Sequence, residues 1–134
     1  MLTTVNGSPI GYDIWGAGET TLALLHAYPL SRGQWREQGE SLAHALALRV
    51  VALDLRGCGE STVATDEPIT MERMAQDIFA LLDALDARRV ILGGLSMGGY
   101  CALAALRLAP ERFAGVILAD TRATPDPDHA RANR

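Results

Sequence analysis

Apolar residues fall in two rhythms along this chain. Short dense runs occur at residues 2–5, 10–15, 20–25, 50–53, 90–92 and 116–119. Runs of this length bounded by polar or Gly-containing segments predict strands. The first two are joined by Asn6-Gly7-Ser8-Pro9, a hairpin turn signal. The third is nearly all apolar, as expected of a strand buried on both faces. Between these runs, apolar residues recur at helical spacing. Residues 34–48 read as a helix with Leu42, Ala45 and Leu46 on the inner face and Glu37, Glu40 and His44 outside. Thr70 is a suitable N-cap for a second helix, whose Met71, Met74, Ile78, Leu81, Leu82 and Leu85 form one core-packing stripe. Residues 97–108 form a third, rich in Ala and Gly and suited to close packing on a sheet, and Pro110 ends it. Residues 56–68 are loop. Residues 121–134 are a polar tail with Pro125 and Pro127, open to a helix start near Asp128, a disordered end or the first residues of a lid.

After the opening hairpin, strands alternate with helices. That order predicts the α/β class: one domain over residues 1–134, with a mostly parallel sheet of about six strands and helices on both faces. In such sheets ligands bind beyond the carboxyl ends of the strands. Three loops leave those ends, at residues 26–33, 54–61 and 94–99, and the residues with chemical potential lie in them.

Composition narrows the partners. The 134 residues are 49% hydrophobic and 21% charged, with a net charge of -4. No basic stripe is present, so a nucleic-acid partner is not expected. The start of the chain lacks a basic segment followed by an apolar core, so no secretory signal is read. No apolar run approaches the ~20 residues that span a bilayer, so no membrane partner is expected and a cytoplasmic location is the default. Two cysteines, Cys58 and Cys101, make no disulfide framework. Cys101 reads as a small buried hydrophobe and Cys58 as a loop residue. No cluster has metal-ligand spacing, so neither metal nor cofactor is implied.

The sharpest chemistry is at Gly94-Leu95-Ser96-Met97-Gly98. Strand, tight turn and helix follow one another there, which lifts Ser96 into a strained, exposed conformation suited to a nucleophile. The helix beginning at Met97 aims free N–H groups and a positive dipole end at any oxyanion formed above it. The plainer alternative is a Gly-rich connection with an incidental serine. The second loop, His26-Ala27-Tyr28-Pro29-Leu30, follows the third strand, where a second oxyanion donor is commonly found, so the backbone amides of Tyr28 and Met97 form the natural pair. His26, Tyr28 and Met97 are thereby the candidate substrate-contacting residues. His26 precedes the serine in the chain, which suits a residue that holds the loop by hydrogen bonding better than a general base. In the third loop, Asp54 and Arg56 read as an internal brace among turn-forming glycines; Asp54 as a catalytic acid is the sharper, less favoured reading.

Taken together, the His-Ala-Tyr-Pro loop, Asp54-Leu55-Arg56-Gly57-Cys58-Gly59-Glu60-Ser61 and Gly94-Leu95-Ser96-Met97-Gly98-Gly99 resemble the α/β-hydrolase family, closest to its single-domain esterase and enol-lactonase branch. Ala27 stands where those relatives usually carry Gly. The resemblance runs from the opening hairpin to the sixth strand. It implies a serine hydrolase of small carboxylic esters or lactones that works through a Ser96 acyl-enzyme. Ser at position 96 argues against the epoxide-hydrolase and dehalogenase relatives, which use Asp. The resemblance also implies a lid and two further strands, with the acid after the seventh and the histidine after the eighth. On that expectation the chain is the N-terminal part of the fold, inactive or very weak alone. Asp120, ending the sixth strand, is a position some relatives use for the acid; its alternative is a plain strand-end residue, and His129 is expected to point into solvent. An exposed sixth strand predicts poor solubility, self-association or pairing with a separate C-terminal half. The competing function is a non-enzymatic, hydrolase-derived domain that binds a small ligand or a partner chain.

Overall fold

A computed structural model describes residues 1–63 and 68–124. The hairpin comes first. β1 (Leu2–Val5) and β2 (Ser8–Trp15) pair antiparallel with Val5 opposite Ser8. Asn6 (φ 48) and Gly7 (φ 73) form the two-residue turn between them, which needs positive φ at both positions. The strand begins at Ser8, two residues earlier than its apolar pattern suggests, because the turn fixes the register.

β3 (Thr20–Leu25), β4 (Arg49–Leu53), β5 (Arg89–Leu95) and β6 (Phe113–Ala119) complete a six-stranded sheet in the order β1-β2-β4-β3-β5-β6. The four run parallel, and β2 joins antiparallel to β4. α1 (Arg36–Leu46), α2 (Met71–Ala84) and α3 (Met97–Leu108) fill the crossovers, the first preceded by a 3-10 turn at Arg32–Trp35. The expected class, a mostly parallel α/β sheet with helices on both faces, is the one observed.

Alternation along the central strands divides the core. Ala23, Leu25, Val51 and Leu53 face α2 and α3 in the larger cluster, with Met74, Ile78, Leu81, Leu82, Leu92, Cys101 and Ala105. Leu22, Leu24, Val50 and Ala52 face the other way, under α1. Each fully buried Leu or Ile contributes about 1.5–3 kcal/mol, so the larger cluster dominates stability. The Thr70 hydroxyl accepts from Arg73 N at 3.1 Å, the capping bond its position suggests.

Two expectations are corrected. The predicted helix over 34–48 is a 3-10 turn followed by a shorter α-helix, closed by Ala47 in the left-handed region. Its inner face is also rotated. Gly39 is buried and Leu42 and Ala43 half-buried, whereas Ala45 is exposed and Leu46 is 60% exposed. Gly39 sets this rotation: a Cβ there would lie 2.4 Å from Trp15 Cε3, so the indole packs into the notch and draws that side of α1 to the sheet.

β6 lies at the sheet edge, with Ile117 52% and Leu118 46% exposed. None of the helices is long and apolar enough to cross a membrane among the described residues.

Candidate active site

The parallel registers place the suspect loops side by side. Leu25 is opposite Leu53 on one flank and Gly94 on the other, and Leu95 is opposite Ala119. The segments beginning at His26, Asp54, Ser96 and Asp120 therefore leave one edge of the sheet.

At the β5–α3 junction Ser96 has φ 52 and ψ -112, a left-handed conformation that a non-glycine residue keeps only when its surroundings impose it. The glycines around it allow close approach. A Cβ on Gly94 would lie 2.3 Å from Gly98 O, and one on Gly98 would lie 2.4 Å from Leu25 O. The first turn of α3 is thus pressed against the end of β3, the strand that feeds Tyr28. Gly99 makes room for a different segment. A Cβ there would lie 2.5 Å from Thr121 Cγ2 and Oγ1.

Ser96 is half-buried, and its hydroxyl makes no capping bond to α3. Among the described residues no partner engages that hydroxyl, and no acceptor takes the N–H of Tyr28 or of Met97. The Tyr28 side chain is 71% exposed. The loop that carries it is held from below. Ala27 N donates to Gln34 Oε1 at 3.1 Å, and Leu30 N to Ala27 O at 2.9 Å.

His26 is fully buried, and both ring nitrogens are committed. Nδ1 donates to Ala27 O at 2.8 Å, and Nε2 accepts from Leu55 N at 3.0 Å. The accepting Nε2 fixes the neutral Nδ1–H tautomer. Burial pushes the His26 pKa down, against the opposing pull of the Ala27 carbonyl and the Asp54 charge.

Asp54 and Arg56 brace the site, but not as one internal pair. Asp54 is fully buried and accepts from Arg32 N at 2.7 Å, from Glu60 N at 2.8 Å and from the Arg32 guanidinium, which also reaches Asp13 and Glu60. Burial would lower the Arg32 pKa, but the bonds to Glu60 and Asp54 outweigh it and raise the value. Arg56 turns away to α2, where Nε and Nη2 meet Asp77 at 2.6 and 2.7 Å, and it donates to Ser8 Oγ at 2.5 Å. Asp77 lies on the buried side of α2, where the Arg56 guanidinium balances its charge and Asn6 Nδ2 donates a further bond at 3.0 Å. The alternation of charges within one loop gave no access to these partners on other elements.

Asp120 is exposed at φ 43 and follows Ala119, whose carbonyl accepts from Ser96 N at 3.0 Å. It is the first residue beyond the last β5–β6 pair, Leu95 with Ala119. His44 is exposed on α1, away from this edge, and His129 lies outside the described residues. Gln34, Arg32 and Thr121 also hold this site, and no local pattern marks them. Each is an ordinary polar residue whose role depends on a partner in another segment.

Comparison with known proteins agrees with this arrangement. A family model described as alpha/beta hydrolase fold matches residues 20–134. A thermophilic esterase from Thermogutta terrifontis superposes with a TM-score of 0.85 at 42% identity, covering 98% of this chain and 48% of that one. The 3-oxoadipate enol-lactonase 1 of Acinetobacter baylyi is 32% identical over 98% of this chain and 50% of its own. An epoxide hydrolase of Caballeronia sordidicola is 33% identical over 83% of this chain and 33% of its own. The chain therefore spans half or less of the length of these three relatives. With the family model covering residues 20–134 and the sheet, crossovers and strand-end loops arranged as above, the chain belongs to the α/β-hydrolase fold family.

Proposed function

We propose that Ser96 is the nucleophile of a hydrolase of small carboxylic esters or lactones. The observation that carries this reading is the strained Ser96, its hydroxyl uncommitted, at a strand edge where the N–H groups of Tyr28 and Met97 also lack acceptors among the described residues. Ser96 Oγ attacks the acyl carbon, and the two amides receive the developing oxyanion. A histidine from beyond the described residues takes the serine proton and gives it to the leaving alcohol. Water then cleaves the acyl-enzyme and restores Ser96. Asp120, directly after the Ala119 carbonyl that Ser96 N bonds, is the carboxylate we assign to orient that histidine. His26 serves substrate binding through its loop, since its ring is committed to backbone groups. The esterase and enol-lactonase among the relatives support an ester or lactone substrate, and a hydroxyl nucleophile suits acyl transfer.

A fluorophosphonate probe followed by peptide mapping tests the proposal. Ser96 is expected to carry the adduct, and Ser96→Ala to abolish it. In a folded protein that also supplies the proton-accepting histidine, an unmodified Ser96 would refute the nucleophile. It would favour instead a binding domain derived from a hydrolase, a reading supported by the two described histidines, one committed and one remote.

A further inference from the structure

Three donors converge on the Ser96 carbonyl oxygen: Gly99 N at 2.9 Å, Tyr100 N at 3.3 Å and Thr121 Oγ1 at 3.0 Å. The first two belong to the opening turn of α3 and form wherever a helix begins. The third arrives from the end of a neighbouring strand. Ser96 N ties the turn to Ala119 O, Asp120 reverses the chain at φ 43, and Thr121 settles into the notch left by Gly99.

We propose that Thr121 is a positioning residue that aims an oxyanion donor. The peptide unit is planar, so the Ser96 C=O and the Met97 N–H form one rigid group pointing in opposite directions. Holding that carbonyl from below fixes where the Met97 N–H points above. Thr121 does this without touching substrate. Its hydroxyl supplies the bond, and its methyl, hydroxyl and Cβ together occupy the Gly99 notch, so a β-branched hydroxyl residue meets both demands. The inference rests on the nucleophile reading above and extends it to the segment that follows β6.

The test compares the wild type with Thr121→Val, which keeps the shape and removes the donor, and Thr121→Ser, which keeps the donor. Thr121→Ala is the second donor-free variant should Val fold poorly. The first readout needs no reaction: the carbonyl carbon shift of Ser96, labelled selectively, and hydrogen exchange at Gly99 and Tyr100. Val and Ala are expected to move the carbonyl shift, and Ser to restore it. The second is the rate of fluorophosphonate labelling at Ser96. Deleting an oxyanion donor outright costs ~10²–10³-fold, so mis-aiming one is expected to slow labelling about tenfold in Val, with Ser within about twofold of wild type. The loss should fall on the maximal rate and leave the probe's saturation constant unchanged. A carbonyl shift and labelling rate unaltered in Val would overturn the proposal, as would an effect on melting temperature alone. If the wild-type Ser96 is not labelled above Ser96→Ala, the nucleophile reading fails, and the carbonyl shift still decides whether Thr121 sets the turn.

Discussion

Replacing His26 by alanine isolates the brace beneath the Tyr28 loop. The substitution leaves the buried Leu55 N–H without its acceptor and removes one of the two donors to Ala27 O, the other being Leu30 N. An orphaned buried donor costs about 1–3 kcal/mol, and we take about 2. The emptied imidazole volume adds about 1 kcal/mol of cavity cost. With 134 residues at about 2.1 cal/mol/K each, the unfolding entropy is about 0.28 kcal/mol/K, so the combined 3 kcal/mol lowers Tm by about 11 °C. The pH dependence supplies a second check. Burial holds the folded His26 pKa below its ordinary 6.5. A depressed histidine contributes stability that is complete above 6.5 and is lost as pH falls toward the folded value, at up to ~1.4 kcal/mol per pH unit. His26→Ala lacks that loss, so the stability gap between the two proteins should narrow from pH 7.5 to pH 5. Thermal and urea melts at both pH values measure it. A variant melting within about 2 °C of wild type, or a gap that does not change with pH, would refute the bracing role.

Gly98→Ala forces a Cβ to within 2.4 Å of the Leu25 carbonyl. Neither backbone can yield without moving α3 or β3, so a loss above about 2 kcal/mol in urea unfolding is expected, and wild-type stability would contradict the close approach. Cys101 is fully buried and its thiol is pushed up to about 12 by burial, while Cys58 is half-buried. Titration with a disulfide reagent should therefore find one reactive thiol in the native protein and two after denaturation; fast modification of Cys101 in the native state would count against the packing of α2 on α3. On the β6 edge, Ile117→Lys should move the protein toward monomer in sedimentation, because a charge on an exposed strand blocks edge pairing. A wild type that is already monomeric at high concentration would refute that expectation.

Much of the site is legible from local chemistry. Asn6-Gly7 fixes a hairpin because few residue pairs tolerate two positive φ values. The glycines flanking Ser96 mark where strand and helix must come close, and three strand-end loops share one edge once the strands are known to be parallel. The inner face of α1 was not legible, because the deciding contact is Trp15 against Gly39, two residues far apart in the chain. The partners of Asp54 and Arg56 were hidden for the same reason: Arg32 and Asp77 reach them from other elements. Thr121 looks like the first residue of a polar tail until β6 pairs with β5.

The element types, the α/β alternation and the turn that presents Ser96 are all readable along the chain. Each follows from the backbone preferences and spacing of residues close together in the chain. The strand order, the covered face of α1, the pairing of charges and the groups that hold the Ser96 carbonyl emerge on folding. Those outcomes depend on distances across the sheet, and no local pattern encodes a distance between segments that meet only after folding.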